Sequence, residues 1–224
     1  MTRHALVTLQ IGENPYFEQV QQNFQQTCQR YGWNFEVISS RKLSLLPLRK
    51  RIRRIQFEKF QIGSLLDTYE RILYLDSDIL IRPSFPDIFE IVPHDHFGCV
   101  MEDIGPLKWK RDEERIRAQI KLGTIESWTH GYFNSGMFVV SRIHQTIFST
   151  KWRNIAGGRW PDQTTLNYQV RAHNYPIKEL PIEFNYLPEL CTDWDNPEKR
   201  RAAHIVHYAG PEAKPAMIQD LRTL

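Results

Sequence analysis

Cysteine is scarce in this chain: Cys28, Cys99 and Cys191 are the only three in 224 residues. They are odd in number and widely separated, and they lack any paired metal spacing. A disulfide scaffold and a zinc framework are therefore excluded, and reduced thiols of a cytosolic protein are expected. Long apolar runs are also missing. No stretch approaches the ~20 apolar residues that span a bilayer, which leaves at most peripheral membrane contact. Met1-Thr2-Arg3-His4 leads straight into a short apolar segment, without the succession of a secretory leader. The chain has no internal repeat, low-complexity tract or Gly/Ser-rich linker, so one domain over 1–224 is expected. Charge of one sign is not dominant either: 29 Lys and Arg against 26 Asp and Glu give a net +3. Basic residues crowd only Arg41, Lys42, Arg49, Lys50, Arg51, Arg53 and Arg54. No nucleic-acid module surrounds them, so nucleic acid is not an expected partner. The cluster reads as a solvated loop or helix face near an anionic ligand.

What remains is an ordinary soluble composition, 41% hydrophobic and 25% charged, able to bury one substantial core. Ala5 to Ile11 reads as a strand. Pro15 to Tyr31 reads as a helix, with Asn14 as its cap and Pro15 at the first helical position. Asn34 to Ile38 is a second strand, and Ile55, Phe57, Phe60, Leu65 and Leu66 form a helical stripe leading to the strand at Ile72 to Leu75. This β-α-β-α-β order implies a mainly parallel sheet covered by helices, with ligands at the carboxyl ends of its strands. Beyond the breaks at Pro83 and Pro86, strands are expected at Phe97 to Met101, Met137 to Val140 and His204 to Tyr208. Helices are expected at Lys110 to Lys121, His144 to Ile155 and Asp162 to His173. Met217, Ile218, Leu221 and Leu224 have helical spacing, and that tail either docks on the body or lies weakly on a membrane.

The segment Arg71-Ile72-Leu73-Tyr74-Leu75-Asp76-Ser77-Asp78-Ile79-Leu80-Ile81 is the most informative. It is an apolar run, the signature of a strand buried on both faces, broken by two carboxylates one residue apart. At about 4 Å and an effective dielectric near 20, two such charges repel by roughly 4 kcal/mol, so a cation belongs beside them. A hard divalent metal meets that need and keeps positions free for phosphate oxygens. A pair of solvated turn aspartates is the plainer alternative.

Three further segments accompany that pair: Tyr132-Phe133-Asn134-Ser135-Gly136-Met137, Pro161-Asp162-Gln163-Thr164-Thr165-Leu166-Asn167, and His207-Tyr208-Ala209-Gly210-Pro211-Glu212-Ala213-Lys214-Pro215. In order and spacing the four together resemble the family-8 retaining glycosyltransferases of the GT-A fold, the group that includes glycogenin and bacterial galactosyltransferases. The resemblance runs from about Ala5 to Pro215. It implies an α/β GT-A fold, a single Rossmann-like mixed, mainly parallel sheet flanked by helices. In that fold residues up to about 82 form a nucleotide-binding half, about 83–215 a donor-sugar and acceptor half, and 216–224 a tail.

The resemblance also implies a donor, usually a UDP-sugar, with manganese as cofactor and magnesium as the alternative, and transfer to a glycan or other hydroxyl. Asp76, Asp78 and His207 become metal ligands. A nitrogen ligand suits manganese better than magnesium, although His207 taken alone reads first as a buried, hydrogen-bonded core histidine, and only the resemblance makes it a ligand. Gly210 would let backbone approach a diphosphate, and Lys214 would supply it a point charge; a Gly-Pro turn before a surface lysine is the alternative. Lys59 corresponds to a lysine reaching toward the donor, or is an exposed helix lysine. Thr8, Leu9, Gln10 and Tyr16 correspond to positions holding uracil and ribose, although Tyr16 could instead serve helix packing. Asn134 and Ser135, with Asp162, Gln163 and Ser77, fall where the donor is lined, and Asp162, Gln163 and Lys214 are the catalytic candidates. Asp162 is also a candidate helix N-cap.

Two departures stand out. Ala216 follows Lys214-Pro215 where the family usually carries tryptophan, and 224 residues is short, which leaves an acceptor-binding extension absent or supplied by another chain. Retention without an obvious carboxylate nucleophile implies front-face attack, with Asp162 the candidate if a covalent route operates. Competing readings are an inverting transferase, a nucleotidyltransferase, and a non-catalytic nucleotide-sugar-binding module. Donor sugar, acceptor and oligomeric state are not legible.

Overall fold

The computed structural model describes residues 3–43, 55–149 and 155–222. The chain runs β1 (His4–Leu9), α1 (Phe17–Tyr31), β2 (Asn34–Ile38), a 3-10 turn (Ile55–Gln61), α2 (Ile62–Leu65), β3 (Arg71–Asp76), β4 (Ile79–Ile81), α3 (Ile88–Ile91) and β5 (Phe97–Met101). It continues through α4 (Lys108–Leu122), β6 (Phe133–Ser141), a 3-10 segment (Arg142–Phe148), α5 (Pro161–Ala172), β7 (Ile177–Glu179), α6 (Pro197–Ala202), β8 (Ile205–His207) and α7 (Lys214–Leu221). Six strands form one sheet in the order β2-β1-β3-β6-β5-β7. The pairings β1–β2, β1–β3 and β5–β7 are parallel, while β6 runs antiparallel between β3 and β5. The expected mixed, mainly parallel sheet is the one observed.

Period-two alternation feeds two cores, one on each face. Leu6, Leu73, Leu75, Met137 and Val139 join Val20 and Phe24 of α1 on one side. Ala5, Val7, Ile72, Tyr74, Phe138 and Val140 join Phe57 and Phe60 on the other. Strands buried on both faces read as continuous apolar runs, and β1, β3 and β6 are such strands.

Several expectations are corrected. The apolar run 71–81 is two strands: β3 ends at Asp76, the chain turns at Ser77-Asp78, and β4 leaves the main sheet to pair antiparallel with β8. Helix α1 starts at Phe17, because Asn14 spends its side chain and carbonyl on a preceding turn, accepting from the Tyr16 and Phe17 amides. Asp162 is not a helix cap. Trp160 holds that position in α5, Pro161 opens the helix, and no side chain caps it. The stripe at 55–66 is mostly 3-10, and so is the described part of the expected helix at 144–155. Strand β6 extends from 133 to 141 rather than 137 to 140, and β7 and α6 were not anticipated. The basic residues Arg49 to Arg54 and the tail residue Leu224 lie outside the described residues. The tail docks on the body, since Met217 of α7 is buried in the first core and Leu221 packs against it. Among the described residues no helix is long and apolar enough to cross a membrane.

Candidate active site

The break after β3 builds the site. Asp76 is the last residue of β3, at the carboxyl rim of the sheet, and its register partner is Leu9 of β1. Turning at Ser77 lets Ile79 pair with His207 of β8, while the Tyr208 amide donates to the Asp78 carbonyl at 2.8 Å. That register brings one oxygen of Asp76, one oxygen of Asp78 and a ring nitrogen of His207 within 4.8 Å of one another. His207 Nε2 stands 3.3 Å from Asp78 Oδ1. The closeness depends on Gly136 in β6, where a Cβ would fall 2.4 Å from His207 Cε1 and 3.0 Å from Asp76 Oδ2. Two carboxylate oxygens and an imidazole nitrogen are a donor set for a divalent cation, and the glycine cradle fits one.

Two lysines contact the candidate ligands, Lys59 at Asp76 and Lys214 at Asp78. Lys59 is buried, which removes the exposed-lysine alternative. Its Nζ donates to the carbonyl and Oγ of Ser135, both at 3.1 Å, and lies 3.4 Å from Asp162 Oδ2 and 3.6 Å from Asp76 Oδ1. Burial pulls its pKa down, but the two aspartates outweigh burial and the net shift is upward, so the ammonium stays charged. Lys214 Nζ donates to Asp78 Oδ2 and to the Tyr208 carbonyl, both at 2.9 Å. Burial alone would raise the Asp78 carboxyl, yet His207 and Lys214 hold it well below the usual carboxylate range. For His207, burial pulls the imidazole pKa down and Asp78 pulls it up, with a net upward shift. Buried Tyr74 donates to Asp76 Oδ1 at 2.6 Å, and burial with that carboxylate pushes its phenol well up.

A polar wall faces this cluster. Gln163 Oε1 accepts from the Ser135 amide at 3.0 Å, and its Nε2 donates to Glu102 Oε2 at 2.6 Å. Glu102 is buried and paired with Arg111 of α4 at 2.6 Å, and Asn134 Nδ2 donates to it at 3.3 Å. Between wall and cluster opens a cavity of about 450 Å³, lined among others by Lys59, Asp76, Asp78, Asn134, Ser135, Asp162, Gln163, His207 and Gly210.

The remaining expected residues fall outside that lining. Thr8 and Leu9 are buried in β1 and Gln10 just beyond it, next to Asp76 by register, with Leu9 part of the core. Gln10 Oε1 accepts from Gln21 Nε2 at 2.5 Å, whereas Thr8 Oγ1 and Gln10 Nε2 have no hydrogen-bond partner among the described residues. Tyr16 packs against the first core, in keeping with the helix-packing alternative. Ser77 is half-buried in the turn between the two aspartates. Lys214 is joined to the site through its bond to Asp78. Sequence reasoning missed Glu102, Glu189, Trp160 and Arg159, all of which line the cavity. A signal existed for Glu102 alone, an acid directly after a strand's carboxyl end. Burial, with Glu102 nearby, pushes the Glu189 carboxyl up.

The family profile described as "Glycosyl transferase family 8" matches residues 2–215. A lipopolysaccharide 1,3-galactosyltransferase of Salmonella typhimurium is 25% identical over 205 residues, 85% of this chain and 58% of the relative. A lipopolysaccharide 1,2-glucosyltransferase of Escherichia coli is 22% identical over 183 residues, 75% of this chain and 49% of the relative. The chain thus spans about half the length of the curated relatives it matches. Among solved structures, a glycosyltransferase involved in glycosylation of the major capsid of PBCV-1 superposes with a TM-score of 0.62 at 15% identity, covering 96% of this chain and 99% of the other. The galactosyltransferase LgtC, solved with donor and acceptor sugar analogs, gives 0.61 at 14% identity, covering 98% and 96%. At such identities the structures speak for the fold, which is the one these transferases share. A profile match across nearly the whole chain settles the rest: the chain belongs to glycosyltransferase family 8.

Proposed function

We propose that this chain moves a sugar from a nucleotide diphosphate donor, a UDP-sugar, to an acceptor hydroxyl with retention of configuration and with manganese as cofactor. The observation that carries the reading is the convergence of Asp76, Asp78 and His207 on one point of a polar cavity that also holds Lys59 and Asp162. Asp76, Asp78 and His207 would hold the cation, and the imidazole favours manganese over magnesium. Bound there, the cation supplies Lewis-acid charge for the departing diphosphate.

The chain's own groups do the remaining work. Lys214 carries the second positive charge for the leaving group, released toward phosphate as Asp78 turns to its ligand role. The backbone at Gly210, with φ of +86°, lets the 210–214 loop turn close over the diphosphate. At the β1 rim, the Thr8 hydroxyl and Gln10 amide nitrogen, without a hydrogen-bond partner among the described residues, are offered to the nucleoside. This divides the chain into a nucleotide half up to about 82 and a sugar and acceptor half from about 83 to 215. Gln163 is held at both ends by Ser135 and Glu102, so its side chain is preorganised to orient sugar hydroxyls. Asp162 is tied to Lys59, which lowers its nucleophilicity and favours front-face return, in which the departing phosphate accepts the acceptor's proton.

The test is a panel of nucleotide-sugars incubated with manganese, read as release of nucleoside diphosphate, with NMR of the product's anomeric centre. Release that a chelator abolishes, with retained configuration, is expected. Inverted product would overturn the retaining assignment. Uridine diphosphate binding without turnover of any donor would instead favour a sugar-nucleotide binding module.

A further inference from the structure

Behind the three candidate ligands lies a chain of buried amides that determines which nitrogen of His207 faces the cluster. Asn134 Oδ1 accepts from the backbone amide of Gly136 at 2.8 Å. A backbone N–H can only donate, so this contact fixes the Asn134 side chain with its oxygen inward. Its Nδ2 then points to Glu102 Oε1 at 3.3 Å, a carboxylate that only accepts while ionised, as its pairing with Arg111 requires. Both contacts agree on one orientation.

The neighbour beyond is Asn185, fully buried in the loop that follows the 3-10 turn Ile182–Phe184. Its side chain meets Asn134 Oδ1 at 3.1 Å, and because that oxygen is an acceptor, the atom facing it must be the NH₂ group. The Asn185 oxygen is thereby turned to His207, 3.0 Å from Nδ1. An amide oxygen offers no proton, so Nδ1 must carry one. Nε2, on the cluster side and 3.3 Å from Asp78 Oδ1, is then the nitrogen whose lone pair is free once its own proton is displaced.

We propose that Asn185 is a positioning residue that locks His207 in the Nδ1–H form, so that Nε2 is the ligand atom, its orientation set by the Gly136 amide through Asn134. The inference rests on the metal reading above and adds to it. Outer partners of this kind raise a histidine's ligand strength and fix its ring plane. Replacing Asn185 by an isosteric apolar side chain leaves Asn134 Oδ1 still bonded to Gly136 but strips Nδ1 of its acceptor. The ring is then free to rotate or to exchange tautomers, and cation affinity falls while the fold persists.

Two measurements test this on the full chain. First, manganese affinity is read from the free-ion EPR signal for the wild type and for Asn185→Leu, with melting temperatures alongside. Affinity roughly 10- to 100-fold weaker in the variant, with the fold retained, is expected. Affinity within twofold of wild type would overturn the lock. Second, long-range ¹H–¹⁵N spectra of the wild type with zinc as a diamagnetic stand-in read the tautomer without any variant, the His207 signals being assigned by their loss in His207→Asn. A proton on Nδ1 with Nε2 bound to the ion is expected; a proton on Nε2 with Nδ1 bound overturns the proposal even if Asn185→Leu fails to fold. Absence of any cation binding by the wild type would sink the metal site itself, and the lock with it, whereas binding that ignores Asn185 would sink the lock alone.

Discussion

Lys214 places its Nζ 2.9 Å from Asp78 Oδ2, joining two residues 136 positions apart. The lysine side chain is about a third exposed, lies outside the cavity lining and is also anchored to the Tyr208 carbonyl, so it reaches the cavity through the candidate metal ligand it holds. Lys214→Met should lower turnover by about 10²- to 10³-fold, the usual loss when one charge-stabilising group is removed, with little change in melting temperature. Steady-state release of nucleoside diphosphate reads this, and an unchanged kcat would strike Lys214 from the leaving-group role.

Asp78→Asn keeps the size of the side chain and removes its charge. Asp78 is partly exposed at the rim and can lose that charge without opening the core, so the variant should fold and lose manganese-stimulated hydrolysis of the donor. Circular dichroism and a manganese titration check both halves of the statement. Full stimulated activity would remove Asp78 from the cation site.

Gly136→Ala should be out of proportion to its one methyl group. The new Cβ would meet His207 Cε1 at 2.4 Å and Asn134 Oδ1 at 2.9 Å, and neither neighbour is a flexible chain end. Overpacking of this kind costs about 1–3 kcal/mol. Displacement of His207 should also weaken manganese binding at least tenfold, on the order found when a ligand's support is lost. Calorimetric titration showing wild-type affinity would mean that His207 does not serve as a ligand.

Lys59→Met tests a buried charge. The ammonium separates Asp76 from Asp162, and its loss leaves the buried Asp162 carboxylate without its cation. Removing one partner of a buried pair costs about 3–5 kcal/mol, or roughly 10 °C in melting temperature for a chain of this size. A thermal melt within 2 °C or so of wild type would show that solvent or another cation replaces Lys59 at no cost.

His144 carries a pH dependence away from the site. The Ser141 amide donates to its Nδ1 at 2.9 Å, and its Nε2 faces the Asp95 carbonyl at 3.3 Å, so the fold holds the neutral ring. Burial lowers its pKa from 6.5 to about 4. The unfolded chain therefore takes up a proton first as pH falls. The stability His144 contributes is complete above about pH 6.5 and is lost between about 6.5 and 4, by about 3 kcal/mol. Denaturant melts of wild type and His144→Gln should diverge in slope across that window. Parallel curves would show that the ring stays neutral in both states or charged in both.

Much of the architecture could be read from residue order. The strands expected at 5–11, 34–38, 72–75, 97–101 and 204–208 each overlap an observed strand, the helix expected at 110–121 lies within the observed one, and that expected at 162–173 passes its end by one residue. Misreadings came where one local signal competed with another. Pro15 looked like a helix start, but Asn14 used its side chain for a turn; Asp162 looked like a cap, but Pro161 had already opened the helix. Strand β7 and helix α6 are short and partly polar, and pairing across the sheet, not local propensity, makes the first of them. The resemblance alone points to Thr8 and Gln10, and no spacing in the sequence shows that both are buried.

Sequence alone determined the alternation of strands and helices and the presence of two carboxylates after an apolar strand, because periodicity and composition are local properties. Tertiary structure decided that β4 should leave the main sheet to pair with β8, which is what carries His207 to Asp78 from 129 residues away, the difference of their positions. It decided too that Lys59 is buried against Asp76 and Asp162, and that Gly136 must lack a side chain for the ligands to meet. Those contacts depend on strand register and close packing between distant segments, and no local pattern encodes a distance across the fold.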